Sequence, residues 1–264
     1  MSAMVKQHWD EAEDRLRQAV RTCPDDGTAR QQYAEALWHA GRKAEAVDQM
    51  TRALEMSGNV TADSYVRLGE MHLAMQETAA AARMADKAQS HDIQSPSAWQ
   101  LRGAVLEREN RLPEALTAYQ RVLSLAPDHQ PARMAMARIY LAQRRPQRAL
   151  SSLAVMESQV AEPELPSTVG KMKAAALLAL DQPDRALETL ESTLERTGTP
   201  DTELYQQLAQ ASLATGNLAR ASWAVSEARR MQPDAAGIAQ LDLLTSQIES
   251  QRLATAPVTG VTRR

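Results

Sequence analysis

Phenylalanine is absent from this sequence, and aromatic residues make up only 3% of its 264 positions. A compact globule of that length uses more rings to fill its centre, so a thin, elongated core is expected. Isoleucine and valine are scarce, 4 and 13 residues against 47 Ala and 29 Leu. That leaves too few strand formers for an extensive sheet and an abundance of helix formers. The lone cysteine, Cys23, excludes an internal disulfide and a cysteine-built zinc site. Beside Pro24 at a helix end, it reads as structural filler rather than a nucleophile. No apolar run approaches the ~18 residues of a membrane-crossing helix, and Met1–Asp10 lacks the apolar stretch of a secretory leader. Charge of one sign is missing too: 30 basic residues face 33 acidic ones, formally −3. This is no footprint for nucleic-acid binding. A soluble protein of the cytoplasm or periplasm is expected, without membrane insertion. Arginine outnumbers lysine 25 to 5, which hints at a GC-rich, bacterial genome.

Catalytic constellations are missing as well. The histidines (His8, His39, His72, His91 and His129) never fall four apart, so no helical metal pair exists. The ten glycines are scattered, with no phosphate-cradling loop and no Gly-x-Ser-x-Gly elbow. The expectation is a non-enzyme with no cofactor and no metal.

What is present is self-similarity. In Pro96–His129, Trp99, Gly103 and Leu106 share one face of a helix, and Ala115, Tyr119 and Val122 share one face of a second. Asn110–Arg111 supplies a polar turn between them, and Pro127 stops the second helix. The small residue Gly103 recurs as Ala34, Gly69, Ala137, Ala174 and Ala209; Ala115 recurs as Ala46, Ala81, Ala149, Ala186 and Ala221, always twelve residues later. Small side chains are required where two helices cross closely. The units start at Gly27, Ala62, Pro96, Gln130, Ser167 and Thr202.

Six such units in phase resemble the tetratricopeptide repeat family. The third matches its pattern almost throughout, and the sixth follows with Tyr205, Leu208, Ala209, Gly216, Ala221, Ala228 and Pro233. Departures are Gly58, Ile93, Ala161 and Gly198 at the terminal proline place, and Arg102 and Lys173 at an apolar place. The resemblance implies an all-α solenoid of helix–turn–helix hairpins wound into a right-handed superhelix of at least thirteen helices. Residues 27–234 would hold the six units. Residues 1–26 (Trp9, Ala12, Leu16, Ala19) read as a half-repeat, either a capping helix or the remnant of a longer chain. Residues 235–253 read as a C-terminal cap with an apolar stripe of Ile238, Leu241, Leu244 and Ile248, and 254–264 as a disordered tail. The prolines of Glu157–Ser167 mark an inserted loop.

The resemblance also implies a concave groove lined by the first helices, holding a peptide or a partner's helix. Its residues would be Gln31, Glu35 and Trp38; Val66, Glu70 and Leu73; Gln100, Ala104, Glu107 and Arg108; Met134, Arg138 and Leu141; Lys171, Ala175 and Leu178; and Gln206, Gln210 and Leu213. The place where a chaperone-binding branch carries its clamp Asn holds Glu35, Glu70, Ala104, Arg138, Ala175 and Gln210, so no carboxylate clamp is expected. Glu35, Glu70 and Glu107 against Arg108, Arg138 and Lys171 give two readings: a groove polarised from acid to base, or charges pairing between neighbouring repeats. Trp38 is the expected aromatic anchor. Trp9 and Trp99 are expected in the core and Ala118 at the surface. Trp223, at a place polar in the other units, would be covered by the last helix or offered on the convex face to a partner. The functional expectation is a protein–protein interaction scaffold. The alternatives are the substrate-recruiting part of a larger enzyme and an assembly factor for secretion in the bacterial envelope.

Overall fold

The computed structural model describes residues 3–56, 60–159 and 165–255, with the side chains of 3–11 and 159 excepted. The Trp9 side chain, Gly58, Ala161 and residues 256–264 of the expected tail therefore lie outside what is described, while Ala254 and Thr255 of that tail are helical. The chain divides into two units, Met1–Ala132 and Arg133–Arg264. In the first, helix α1 (Ala3–Thr22) packs on the hairpin of α2 (Gly27–His39) and α3 (Lys43–Met56). The hairpins of α4 (Ala62–Ala74) with α5 (Thr78–His91), and α6 (Pro96–Arg108) with α7 (Leu112–Leu125), follow in a stack. The division falls inside α8 (Gln130–Ala142). The second unit continues with α9 (Pro146–Gln159), then α10 (Ser167–Leu178) with α11 (Pro183–Arg196), and α12 (Thr202–Ala214) with α13 (Leu218–Arg230). It ends on α14 (Ala235–Thr255), which packs against both α13 and α12. Among the described residues there is no strand, and the fold is an all-α solenoid of stacked hairpins.

Several first helices begin where a side chain can take up an orphan backbone N–H, though α10, which starts after Pro166, has no side-chain cap. Asp26, Thr61, Ser95 and Asp201 each accept from the N–H three residues on, at Ala29, Ser64, Ala98 and Leu204. Each first helix also ends in one way. The residue fourteen places after the unit start (Gly41, Gln76, Asn110, Arg144, Asp181 and Gly216) has a positive φ between 55° and 86°. The next residue's N–H donates back to the carbonyl five before it, as Arg42 does to Leu37 and Arg145 to Tyr140, both within 2.9 Å. This left-handed cap reverses the chain in a fixed geometry and sets up the second helix.

Cores are built from small residues. Around α4–α6, Ala81, Ala85, Ala88 and Ala98 pack with Val66, Leu101 and Val105. In the second unit Leu177, Leu190, Leu204, Leu208 and Leu241 are buried among Ala174, Ala186, Ala209 and Ala221. A Cβ added at Gly103 would sit 2.7 Å from the Tyr119 ring, so the crossing of α6 and α7 depends on its absence. The two charges at apolar places are absorbed by partners on preceding second helices: Arg102 by Asp86 at 2.9 Å, and Lys173 by Glu157 at 2.7 Å.

Four expectations need correction. Ala118 is buried, because it falls on the stripe of Ala115, Tyr119 and Val122. Cys23 is exposed, since it follows the end of α1 in the connection to α2. Ile238 is 47% exposed while Leu241, Leu244 and Ile248 are buried; it lies about 90° round the helix from the centre of their stripe. Trp99 is half-buried rather than core, with its Nε1–H donating to the carbonyl of Ile93 at 2.7 Å.

Candidate functional site

At 100° per residue, places 2, 5, 6, 9, 12 and 13 of a repeat's first helix share one face. Only 5, 9, 12 and Arg108 were selected from the sequence. In the second unit this face opens a cavity of about 300 Å3 between three first helices. Met134, Arg138 and Leu141 come from α8, and Lys171 and Ala175 from α10. The sequence reading missed Thr168 and Met172 of α10 and Glu203 and Gln207 of α12, which line it too. They occupy places 2 and 6, and the helical period alone finds them. Met134, Leu141, Met172 and Ala175 make its apolar part.

Lys171 is buried, and its Nζ donates to Asp201 Oδ2 at 2.7 Å and to Glu203. Burial alone would lower the lysine pKa, but the two carboxylates outweigh it and raise it above the usual value. Burial would likewise raise the Asp201 pKa, yet the bonds from Lys171 and from the Leu204 N–H hold it below the usual value. Asp201 thus caps α12 and ties it to α10. Gln206 is also buried, with its Nε2 3.4 Å from the carbonyl of Gly237, whereas Gln210 is exposed. Gln210 and Leu213 line a further open groove of about 470 Å3 against Ser246, Gln247 and Ser250 of α14. The last helix therefore serves as one more first helix, a role its polar face had not suggested.

In the first unit, Gln31 Nε2 lies 3.4 Å from Ser64 Oγ of the next repeat. Arg67, another residue at place 6, donates through both Nε and Nη2 to Glu35 at 2.6 Å and reaches Glu70 at 3.4 Å. Its bond to Glu35 raises the guanidinium pKa further above its ordinary value. Trp38 is half-buried, with Arg67 6.0 Å and Lys43 5.5 Å from its ring centroid. Glu107 accepts from Tyr119 Oη at 2.6 Å, Gln100 is half-buried and Arg108 exposed. Glu35 and Lys171 are thus each engaged by a neighbouring repeat. Trp223 is 36% exposed, edge-on to Tyr205 at 5.7 Å and 4.2 Å from the Arg220 guanidinium.

Among the described residues, no group of three or more His, Cys, Asp or Glu could hold a metal ion, and no helix is long and apolar enough to cross a membrane.

Two family models described as tetratricopeptide repeat match the chain, one over residues 1–61 and 66–130, the other over 106–165. The chain belongs to the tetratricopeptide repeat family, whose members are generally protein-interaction scaffolds. No curated protein sequence matches it. Solved structures share its fold. A tetratricopeptide repeat protein from Parabacteroides merdae is 17% identical, with 92% of this chain and 94% of that one covered and a TM-score of 0.70. PilW, a type IV pilus biogenesis factor, is 14% identical over 83% of this chain and 98% of its own, with a TM-score of 0.72. YrrB, a repeat protein with an unusual peptide-binding site, is 19% identical over 69% of this chain and 92% of its own, with a TM-score of 0.51.

Proposed function

We propose that this chain is a non-catalytic scaffold that holds an extended peptide or a partner's helix against the face made by its first helices. The observation that carries this reading is the 300 Å3 cavity to which α8, α10 and α12 all contribute. Methionine and leucine side chains form an adaptable apolar seat there, and Arg138 and Glu203 supply charge at its margin. One part of such a site takes a partner's apolar side chain, and the charged residues set its register. Membership of the repeat family supports the reading, as does the peptide-binding site in the name of the similar protein YrrB. The test is affinity capture with the intact chain, compared with Met172→Arg, which places a cation in the apolar seat. A partner retained by the wild type and lost by the variant supports the reading, provided that both melt alike. A partner held equally by both places the interaction elsewhere.

A further inference from the structure

The fourth residue of each repeat is Arg30, Tyr65, Trp99, Arg133, Gly170 or Tyr205: five long side chains and one absence. Among the long ones, Arg30, Tyr65, Trp99 and Tyr205 engage either the turn before their own helix or their own second helix. Trp99 and Arg30 each donate to the carbonyl six residues earlier, of Ile93 and Pro24, both at 2.7 Å. Arg30 also reaches Gln49 of its own second helix at 2.8 Å. Tyr65 meets His91 of its second helix at 5.1 Å between ring centroids, and Tyr205 meets Trp223 of its own at 5.7 Å. Counted from each unit start, the fifth repeat has Thr189 for Gln49, Glu188 for Trp223 and Arg196 for His91. All three line a cavity of about 330 Å3 beside Gly170. The place that a long side chain takes in the first, second, third and sixth repeats is a void here.

The chain cannot fill it from Gly170. A Cβ there would fall 2.0 Å from Thr193 Oγ1; the first, second and sixth repeats carry alanine at the place of Thr193 (Ala53, Ala88 and Ala228). The cavity is also separate from the groove. On α10 it uses Val169, Gly170, Lys173 and Leu177, on the opposite side of the helix from Thr168, Lys171, Met172 and Ala175.

We propose that this cavity is a second binding site, which takes the aromatic side chain of a tyrosine or tryptophan from a partner polypeptide. Its volume suffices, since an engineered apolar cavity of ~150 Å3 already takes up benzene. Three rings of this chain occupy the matching place in other repeats. The lining carries Lys173, Arg185 and Arg196 against Glu157 and Glu188, an excess of base that disfavours an incoming guanidinium. It suits the electron-rich face of a ring, and Thr189 and Ser192 offer hydroxyls to a phenol or an indole N–H.

The intact 15N-labelled chain, titrated with p-cresol, 3-methylindole and n-butylguanidinium, tests this by amide shifts. Saturable shifts with the two aromatics, centred on Gly170, Thr189, Ser192 and Arg196, are expected. Thr189→Phe, which plugs the cavity, should weaken them by about tenfold or more. The pair Gly170→Tyr with Thr193→Ala supplies an internal ring; it should block the shifts and melt at a higher temperature. If that pair fails to fold, Thr189→Phe carries the test alone. Absence of saturable shifts, shifts insensitive to Thr189→Phe, or binding of n-butylguanidinium in preference to both aromatics would overturn the proposal.

Discussion

At each hairpin turn a single residue occupies the left-handed region, and four of the six bear side chains there. Asn110 and Asp181 tolerate that conformation better than Gln76 and Arg144, because short polar side chains bond locally to the backbone. Arg144→Gly and Gln76→Gly should each therefore stabilise the fold by about 1 kcal/mol, and Gly216→Ala should cost a similar amount. Nothing lies within 4 Å of a Cβ at Gly216, so that cost would be conformational alone. Urea unfolding with unchanged slope would check all three. Gly103→Ala differs in kind. Its methyl would meet the Tyr119 ring, and overpacking of this sort costs ~1–3 kcal/mol. Gly198→Ala meets nothing within 4 Å and serves as the control.

Between elements, Asp201 has two duties: capping α12 and receiving Lys171 of α10. Its lowered pKa means that its contribution is present above the ordinary aspartate range and lost as pH falls through ~4 and below. The raised pKa of Lys171 gives the opposite limb, with stability lost only as pH climbs past ~10. Asp201→Asn keeps a capping oxygen but removes the charge, so the stability difference from wild type should shrink as pH falls through ~4 and below. Asp201→Ala should still cost about 1 kcal/mol at the acid end, because it also loses the cap. Thermal melts across pH would separate the two. These elements were legible because Ala and Gly recur at crossings and Asp, Thr and Ser stand at helix starts, which are local signals. Lys171 was legible only as a groove residue. Its carboxylate partners lie 30 and 32 residues away, and no helical period reveals a contact between neighbouring repeats. The missing long side chain at Gly170 is visible when the units are set in register, but the void beside it required Thr193 to be placed.

On the reading proposed above, a partner's charge is felt at the first-helix face of each unit, and burial and pairing together decide which residues can test it. Lys171 is only 6% exposed and already holds two carboxylates. Reversing it would leave three acids together and loosen α12 before it reported on any ligand. Glu35 is similarly committed to Arg67. Arg108 and Arg138 are exposed, so a polarised groove is better tested by Arg108→Glu and Arg138→Glu. A captured partner that presents acidic residues to this face should bind several-fold more weakly to either variant at low ionic strength. The difference should shrink at ~1 M salt, where the screening length falls to about 3 Å. Trp38→Ala should behave otherwise: a buried ring contact is apolar, so its loss should persist at both salt concentrations. Titrations of the same partner at two ionic strengths read both effects. Salt-independent loss for the arginine variants would mean that their side chains pack rather than attract, and no loss for Trp38→Ala would remove it as the anchor.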